Sequence, residues 1–128
     1  MKNEKRFTVA IIGCGSRGRD AYGKLFKRFS EKWEIVALCD VSEKQIDVSA
    51  QEFCVKKKNL FLDENKFFEE KRADLLVIAT QDKDHARQCK KALELGYNVL
   101  LEKPISSDEN ELKELLSTQK KTGGKVMV

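Results

Sequence analysis

Val9-Ala-Ile-Ile-Gly13-Cys-Gly15-Ser-Arg-Gly18 decides how this chain folds. An apolar run leads into a glycine-rich turn, and a helix-forming stretch follows. A second apolar run, Glu34-Ile-Val-Ala-Leu-Cys39, closes on an acid, Asp40. The spacing is that of a dinucleotide-binding βαβ unit, with Asp40 placed 22 residues beyond the last glycine. Gly13 permits the tight turn out of the strand. At Gly15 the missing Cβ lets backbone approach a pyrophosphate, and at Gly18 it lets the helix lie close on the strand. A helix beginning near Ser16 would aim its free N–H groups and positive dipole end at the phosphates. Cys14 and Arg17 complete the phosphate loop. Asp40 is expected to accept hydrogen bonds from a ribose hydroxyl, and its charge repels a 2′-phosphate, which favours NAD over NADP. Arg17 and Arg19 read more readily as solvated or phosphate-side cations than as selectors of a 2′-phosphate.

Working outward, strands and helices alternate. Phe7–Ile12 and 34–39 are strands, and Leu60-Phe-Leu62 is a short third. Residues 74–79 form a fourth, Asn98–Leu101 a fifth, and Lys125–Val128 begins a sixth. Between them, residues 20–29 read as a helix with Ala21, Leu25, Phe26 and Phe29 on one face. Ser42 to Gln45 is a capping box for a helix from Glu43 whose core face is Ile46, Ala50, Phe53 and Cys54. Asp63 caps a brief helix carrying Phe67 and Phe68. Residues 84–95 form a helix with Ala86, Cys89, Ala92 and Leu93 inward, stopped at Gly96. Ser106 to Glu109 is a second capping box, opening a helix that buries Leu112, Leu115 and Leu116 and ends at Gly123-Gly124. The pattern is an α/β, Rossmann-type doubly wound parallel sheet in three layers, strand order 3-2-1-4-5-6.

Bulk properties narrow the function. The chain has 128 residues, 36% of them charged, with a formal net charge of +4. That length fits one domain. Positive and negative residues interleave, and no basic stripe carries interleaved aromatics, so nucleic acid is not an expected partner. Four cysteines without a CxxC pair and a single histidine give no zinc pattern, so no metal is expected. No signal peptide opens the chain and no apolar run approaches the length of a membrane span. A cytoplasmic protein is expected, with Cys14 and Cys39 acting as small apolar residues.

A second constellation follows strands 4 and 5. Strand 4 ends in Ala79-Thr80-Gln81-Asp82-Lys83-Asp84-His85, and strand 5, preceded by Gly96-Tyr-Asn-Val, ends in Leu101-Glu102-Lys103-Pro104. With the glycine loop and Asp40, these residues resemble the Gfo/Idh/MocA oxidoreductases, the glucose–fructose oxidoreductase and inositol dehydrogenase group. The resemblance covers the whole chain. It implies an NAD-dependent enzyme transferring hydride between nicotinamide and a hydroxyl-bearing carbon of a sugar, inositol or related polyol. It implies that Lys103 binds the substrate oxygen near the nicotinamide and acts as the catalytic group. Glu102 would line the cofactor cleft, Pro104 would stiffen the turn, and Ala79, Thr80 and His85 would stand beside the cofactor.

Bland readings accompany these. Lys103 also reads as a solvated strand-end lysine, and His85 as an ordinary histidine at a helix start. Gln81 departs from the family, which usually has proline there. The family also carries a second, substrate-binding domain, absent here, through which its members often form homo-oligomers. The 128 residues alone are therefore expected to be inactive. A non-catalytic NAD sensor or interaction module is the rival reading, and an NAD-dependent glycosidase, with no net redox change, is the alternative within the family.

Overall fold

A computed structural model describes residues 6–128. Its elements, in chain order, are β1 (Phe7–Ile12), a π-helical segment (Ser16–Gly23) continuing as α1 (Lys24–Arg28), β2 (Trp33–Cys39), α2 (Glu43–Phe53), β3 (Leu60–Phe61), α3 (Glu64–Phe67), β4 (Leu75–Ile78), α4 (His85–Glu94), β5 (Asn98–Leu101), α5 (Glu109–Thr122) and β6 (Val126–Met127). All pairings are parallel, in the order β3-β2-β1-β4-β5-β6. This is the order the alternating pattern predicts. Every strand's carboxyl end therefore lies at one end of the sheet.

Alternation along β1 splits the core between two faces. Val9 and Ile11 join Phe26, Phe53 and Val55 beneath α1 and α2. Ala10 and Ile12 join Phe67, Ala86, Cys89, Leu93 and Leu115 beneath α3, α4 and α5. Strands covered on both faces must be apolar, which is why Val9–Ile12 of β1 and all of β4 read as unbroken apolar runs. A bulge changes the phase of β2: the partner of Val9 is Ile35, and that of Ala10 is Ala37. Val36 and Ala37 consequently both pack on the α3–α5 side, while Ile35 packs on the other.

The helices depart from the sequence expectations in several places. Of the face expected after the glycine loop, only Phe26 is buried; Ala21, Leu25 and Phe29 are exposed. The wider π turn shifts the phase, so Gly18, Gly23 and Phe26 face the sheet instead. Cys54 is also exposed: it ends α2 in the left-handed conformation (φ 56°), and Ser49 takes the buried position. In α5 the cap is Asp108, which accepts from the N–H groups of Asn110 and Glu111, not Ser106. Leu115 and Thr118 form its narrow buried stripe, leaving Leu112 and Leu116 exposed. Asp63 caps α3 as expected, whereas the expected box at Ser42 forms only by half: its hydroxyl accepts from the Gln45 N–H, but its own N–H goes to Asp40 and the Gln45 side chain to Arg19. Among the described residues no helix is long and apolar enough to cross a membrane.

Candidate cofactor site

The carboxyl ends of β1, β2, β3 and β4 open into a cleft of about 800 Å³. Gly13 and Gly15 form part of its wall after β1, Asp40 and Val41 after β2, Leu62 and Glu64 after β3, and Ala79 and Thr80 after β4. The glycines explain the shape of the loop. Gly13 has φ +94°, and a Cβ there would lie 2.5 Å from the carbonyl of Ala79. A Cβ on Gly18 would lie 1.7 Å from the Gly13 carbonyl oxygen, so the helical segment meets the loop only because Gly18 lacks one, as the loop meets the end of β4 only because Gly13 does. A Cβ on Gly15 would meet nothing within 4 Å. Bare backbone there borders the cleft, as a close-approaching pyrophosphate requires. The first bond of the helical segment runs from Arg19 N–H to the Gly15 carbonyl (2.8 Å). The N–H groups of Gly15, Ser16 and Arg17 thus precede the helix's own acceptors. The residues present fit a dinucleotide.

Asp40 does more than face the cleft. Its Oδ2 accepts from the N–H of Cys14 (2.7 Å) and its Oδ1 from the N–H of Ser42 (2.8 Å). The carboxylate ties the glycine loop to the start of α2, and each oxygen retains a lone pair for a ribose hydroxyl. Cys14 spends its N–H on this tie. Its thiol is buried against the Cys39 carbonyl (3.7 Å), and burial, reinforced by the charge of Asp40, pushes it up to about 12. Cys39 is likewise raised to about 12 by burial, so both are packing groups rather than nucleophiles. Arg19 turns away from the cleft mouth, to the carbonyl of Cys14 (3.4 Å), the side-chain oxygen of Gln45 (2.5 Å) and Asp20.

The remaining site residues lie outside the cleft wall. His85 is fully buried; Nδ1 lies 2.7 Å from the Pro104 carbonyl oxygen and Nε2 2.9 Å from that of Thr80. It braces the turn after β4 against the turn after β5 and reaches the cleft only through them. Glu102 accepts from the Tyr22 hydroxyl (2.5 Å) and pairs with Arg17 (3.3 Å), whose guanidinium also lies over the Tyr22 ring. The Tyr22 hydroxyl, then Arg17, hold the Glu102 carboxyl below the usual range against the opposing effect of burial. The same bond raises the Tyr22 phenol. Ser16, Lys103 and Pro104 are exposed. Among the described residues no acid pairs with Lys103.

Sequence reasoning missed Tyr22, Glu64 and Gln88. Gln88 carried a signal, because it is a polar residue between Ala86, Cys89 and Ala92 on the inward stripe of α4. Tyr22 and Glu64 sit on exposed-looking stretches and carried none.

Fold and cleft together define a nucleotide-binding domain of the doubly wound parallel class. The chain belongs to the Gfo/Idh/MocA group: the family described as "Oxidoreductase family, NAD-binding Rossmann fold" matches residues 7–128. Two curated relatives are similar. Putative oxidoreductase YteT of Bacillus subtilis is 29% identical over 132 residues, covering 100% of this chain and 30% of that protein. D-apiose dehydrogenase of Paraburkholderia graminis is 27% identical over 124 residues, covering 97% of this chain and 32% of that protein. The chain thus spans about a third of the length of the curated relatives it matches. Among solved structures, the WlbA dehydrogenase of Bordetella pertussis in complex with NADH and UDP-GlcNAcA superimposes with a TM-score of 0.84. It is 20% identical, with 95% of this chain and 36% of that chain covered. The domain is an NAD-binding domain of an oxidoreductase family.

Proposed function

We propose that this chain is the cofactor-holding part of a longer dehydrogenase acting on the hydroxyl-bearing carbon of a sugar, inositol or related polyol. The observation that carries this reading is the juxtaposition of the glycine loop, Asp40 and Thr80 around one cleft, with the Lys103 turn at the same end of the sheet. Bound NAD supplies the hydride acceptor. The chain's residues hold and orient it: Gly15, Ser16 and Arg17 offer N–H groups to the pyrophosphate, and Asp40 receives a ribose hydroxyl and repels a 2′-phosphate. Lys103, exposed and without an acidic partner among the described residues, offers an ammonium that stabilises negative charge on the substrate oxygen, while the hydroxyl proton passes to a base in the substrate-binding part of the longer protein. The Glu102–Tyr22–Arg17 and His85 contacts hold the turn that carries it. The substrate-binding part and any homo-oligomer contacts belong to the longer protein.

Calorimetric titration of the chain with NAD and with NADP tests the cofactor half. NAD binding at least tenfold tighter than NADP is the expected order of magnitude for one repelling carboxylate. Equal affinity removes Asp40 as a selector, and absence of binding to either overturns the reading. Net NADH formation from a free polyol by the longer protein tests the other half. Turnover without net NADH formation refutes the dehydrogenase reading.

A further inference from the structure

A polar relay centred on the buried Gln88 runs along the α3–α4 side of the cleft. The Thr80 hydroxyl lies 2.5 Å from Gln88 Oε1, and Gln88 Nε2 lies 2.8 Å from Glu64 Oε2. The other carboxylate oxygen of Glu64 accepts from Arg87 (2.6 Å), which also pairs with Asp84 (3.0 Å). Gln88 is 4% exposed at the cleft wall, and both ends of its amide are held by these two partners.

The chemistry of the relay fixes every polarity in it. A carboxylate only accepts, so Glu64 draws the amide NH₂ of Gln88 toward itself. The amide oxygen must then face Thr80. An amide oxygen only accepts, so the Thr80 hydroxyl gives it its one proton. Thr80 lines the cleft, and among the described residues no N–H or O–H donates to its hydroxyl oxygen. It therefore meets a ligand with lone pairs and nothing else. A phosphate oxygen, which also brings only lone pairs, is disfavoured there. A sugar hydroxyl or an amino or carboxamide N–H is what that oxygen takes.

We infer that Gln88 is a positioning residue for the cofactor. Oriented by Glu64, it holds Thr80 as an obligate acceptor, and Thr80 binds a hydroxyl or N–H group of NAD rather than its pyrophosphate. This rests on the cofactor reading above and adds which group Thr80 selects and what makes it do so.

The test titrates NAD into the chain and four variants, each checked for a cooperative thermal transition. Thr80→Val and Gln88→Glu each weaken binding roughly fivefold, the worth of one neutral hydrogen bond. Gln88→Glu does so because a second carboxylate facing Glu64 breaks the relay. The double variant Gln88→Glu/Glu64→Gln exchanges the two ends: an amide at 64 donates to a carboxylate at 88, which still accepts from Thr80. It restores NAD affinity to within about twofold. The fourth variant, Thr80→Val/Gln88→Leu, is no weaker than Thr80→Val, because Gln88 acts only through Thr80. Rescue by the exchange together with this non-additivity supports the inference. Wild-type affinity in Gln88→Glu or Thr80→Val, no rescue by the exchange, or simple addition overturns it while leaving the cofactor reading intact. A wild-type chain that does not bind NAD overturns both.

Discussion

The cofactor cleft and the turn after β5 lie at the same end of one sheet, yet their polar groups are held in opposite ways. Around the cleft nearly every named group has an internal partner: Asp40 receives two backbone N–H groups, and Thr80, Gln88 and Glu64 are linked by hydrogen bonds. At the β5 turn only Glu102 and the Pro104 carbonyl are held from within, while the Lys103 ammonium stands exposed. The difference teaches which part of the site is finished. A binding surface pre-organised by its own chain loses little entropy when a ligand arrives. A lone exposed ammonium gains electrostatic strength only once something else excludes water around it.

Substitutions can break or sharpen this contrast. Gly18→Val places atoms inside the Gly13 carbonyl and is expected to cost about 3 kcal/mol and abolish NAD binding; urea denaturation and calorimetry measure both. A variant that folds and binds normally means the loop and helix can separate cheaply. Asp40→Ala leaves the Cys14 and Ser42 N–H groups without their charged acceptor. About 2 kcal/mol of stability and more than tenfold in NAD affinity should be lost together. Loss of affinity alone makes Asp40 a ligand contact and not a strut.

A smaller effect belongs to the β5 turn. Because Glu102 titrates below the usual range in the folded chain, its contribution to stability is full above the ordinary glutamate value. It is lost as pH falls through the lowered one. Tyr22→Phe removes the first cause of that lowering and should cost about 1 kcal/mol at neutral pH, the gap from wild type closing in acid. Parallel melting curves at all pH values contradict the assignment. Lys103→Ala is the smallest: stability within about 0.5 kcal/mol and unchanged NAD affinity, with turnover of the longer protein nearly abolished. A substantial loss of NAD affinity shifts Lys103 from substrate to cofactor.

The strands, their order and the cleft glycines were legible because each follows from a local rule: apolar runs for strands covered on both faces, and missing Cβ atoms where backbones meet. What was not legible depends on backbone geometry and on competition between side chains for the same polar groups, neither of which residue spacing encodes. The π turn at Ser16–Gly23 rotates the face that Leu25 and Phe29 would have shared. Ser106 has the spacing of a cap, but its hydroxyl engages Glu111 and the Asp108 backbone while Asp108 does the capping. His85 was expected beside the cofactor, whereas the structure buries it as a brace between the turns after β4 and β5, a role that depends on Pro104, 19 residues away.

The placement of β1 also bears on how the chain is made. Val9–Ile12 pairs with β2 on one side, but its other edge waits for β4, beginning at Leu75. At a synthesis rate of roughly 5–20 residues per second, that edge stays open for several seconds after β1 leaves the ribosome. During that interval Val9–Ile12 is a one-sided apolar ladder, open to pairing with another extended segment. The central placement that puts the end of β1 at the cleft thus leaves the same strand with an open edge for longer than its pairing with β2 alone would.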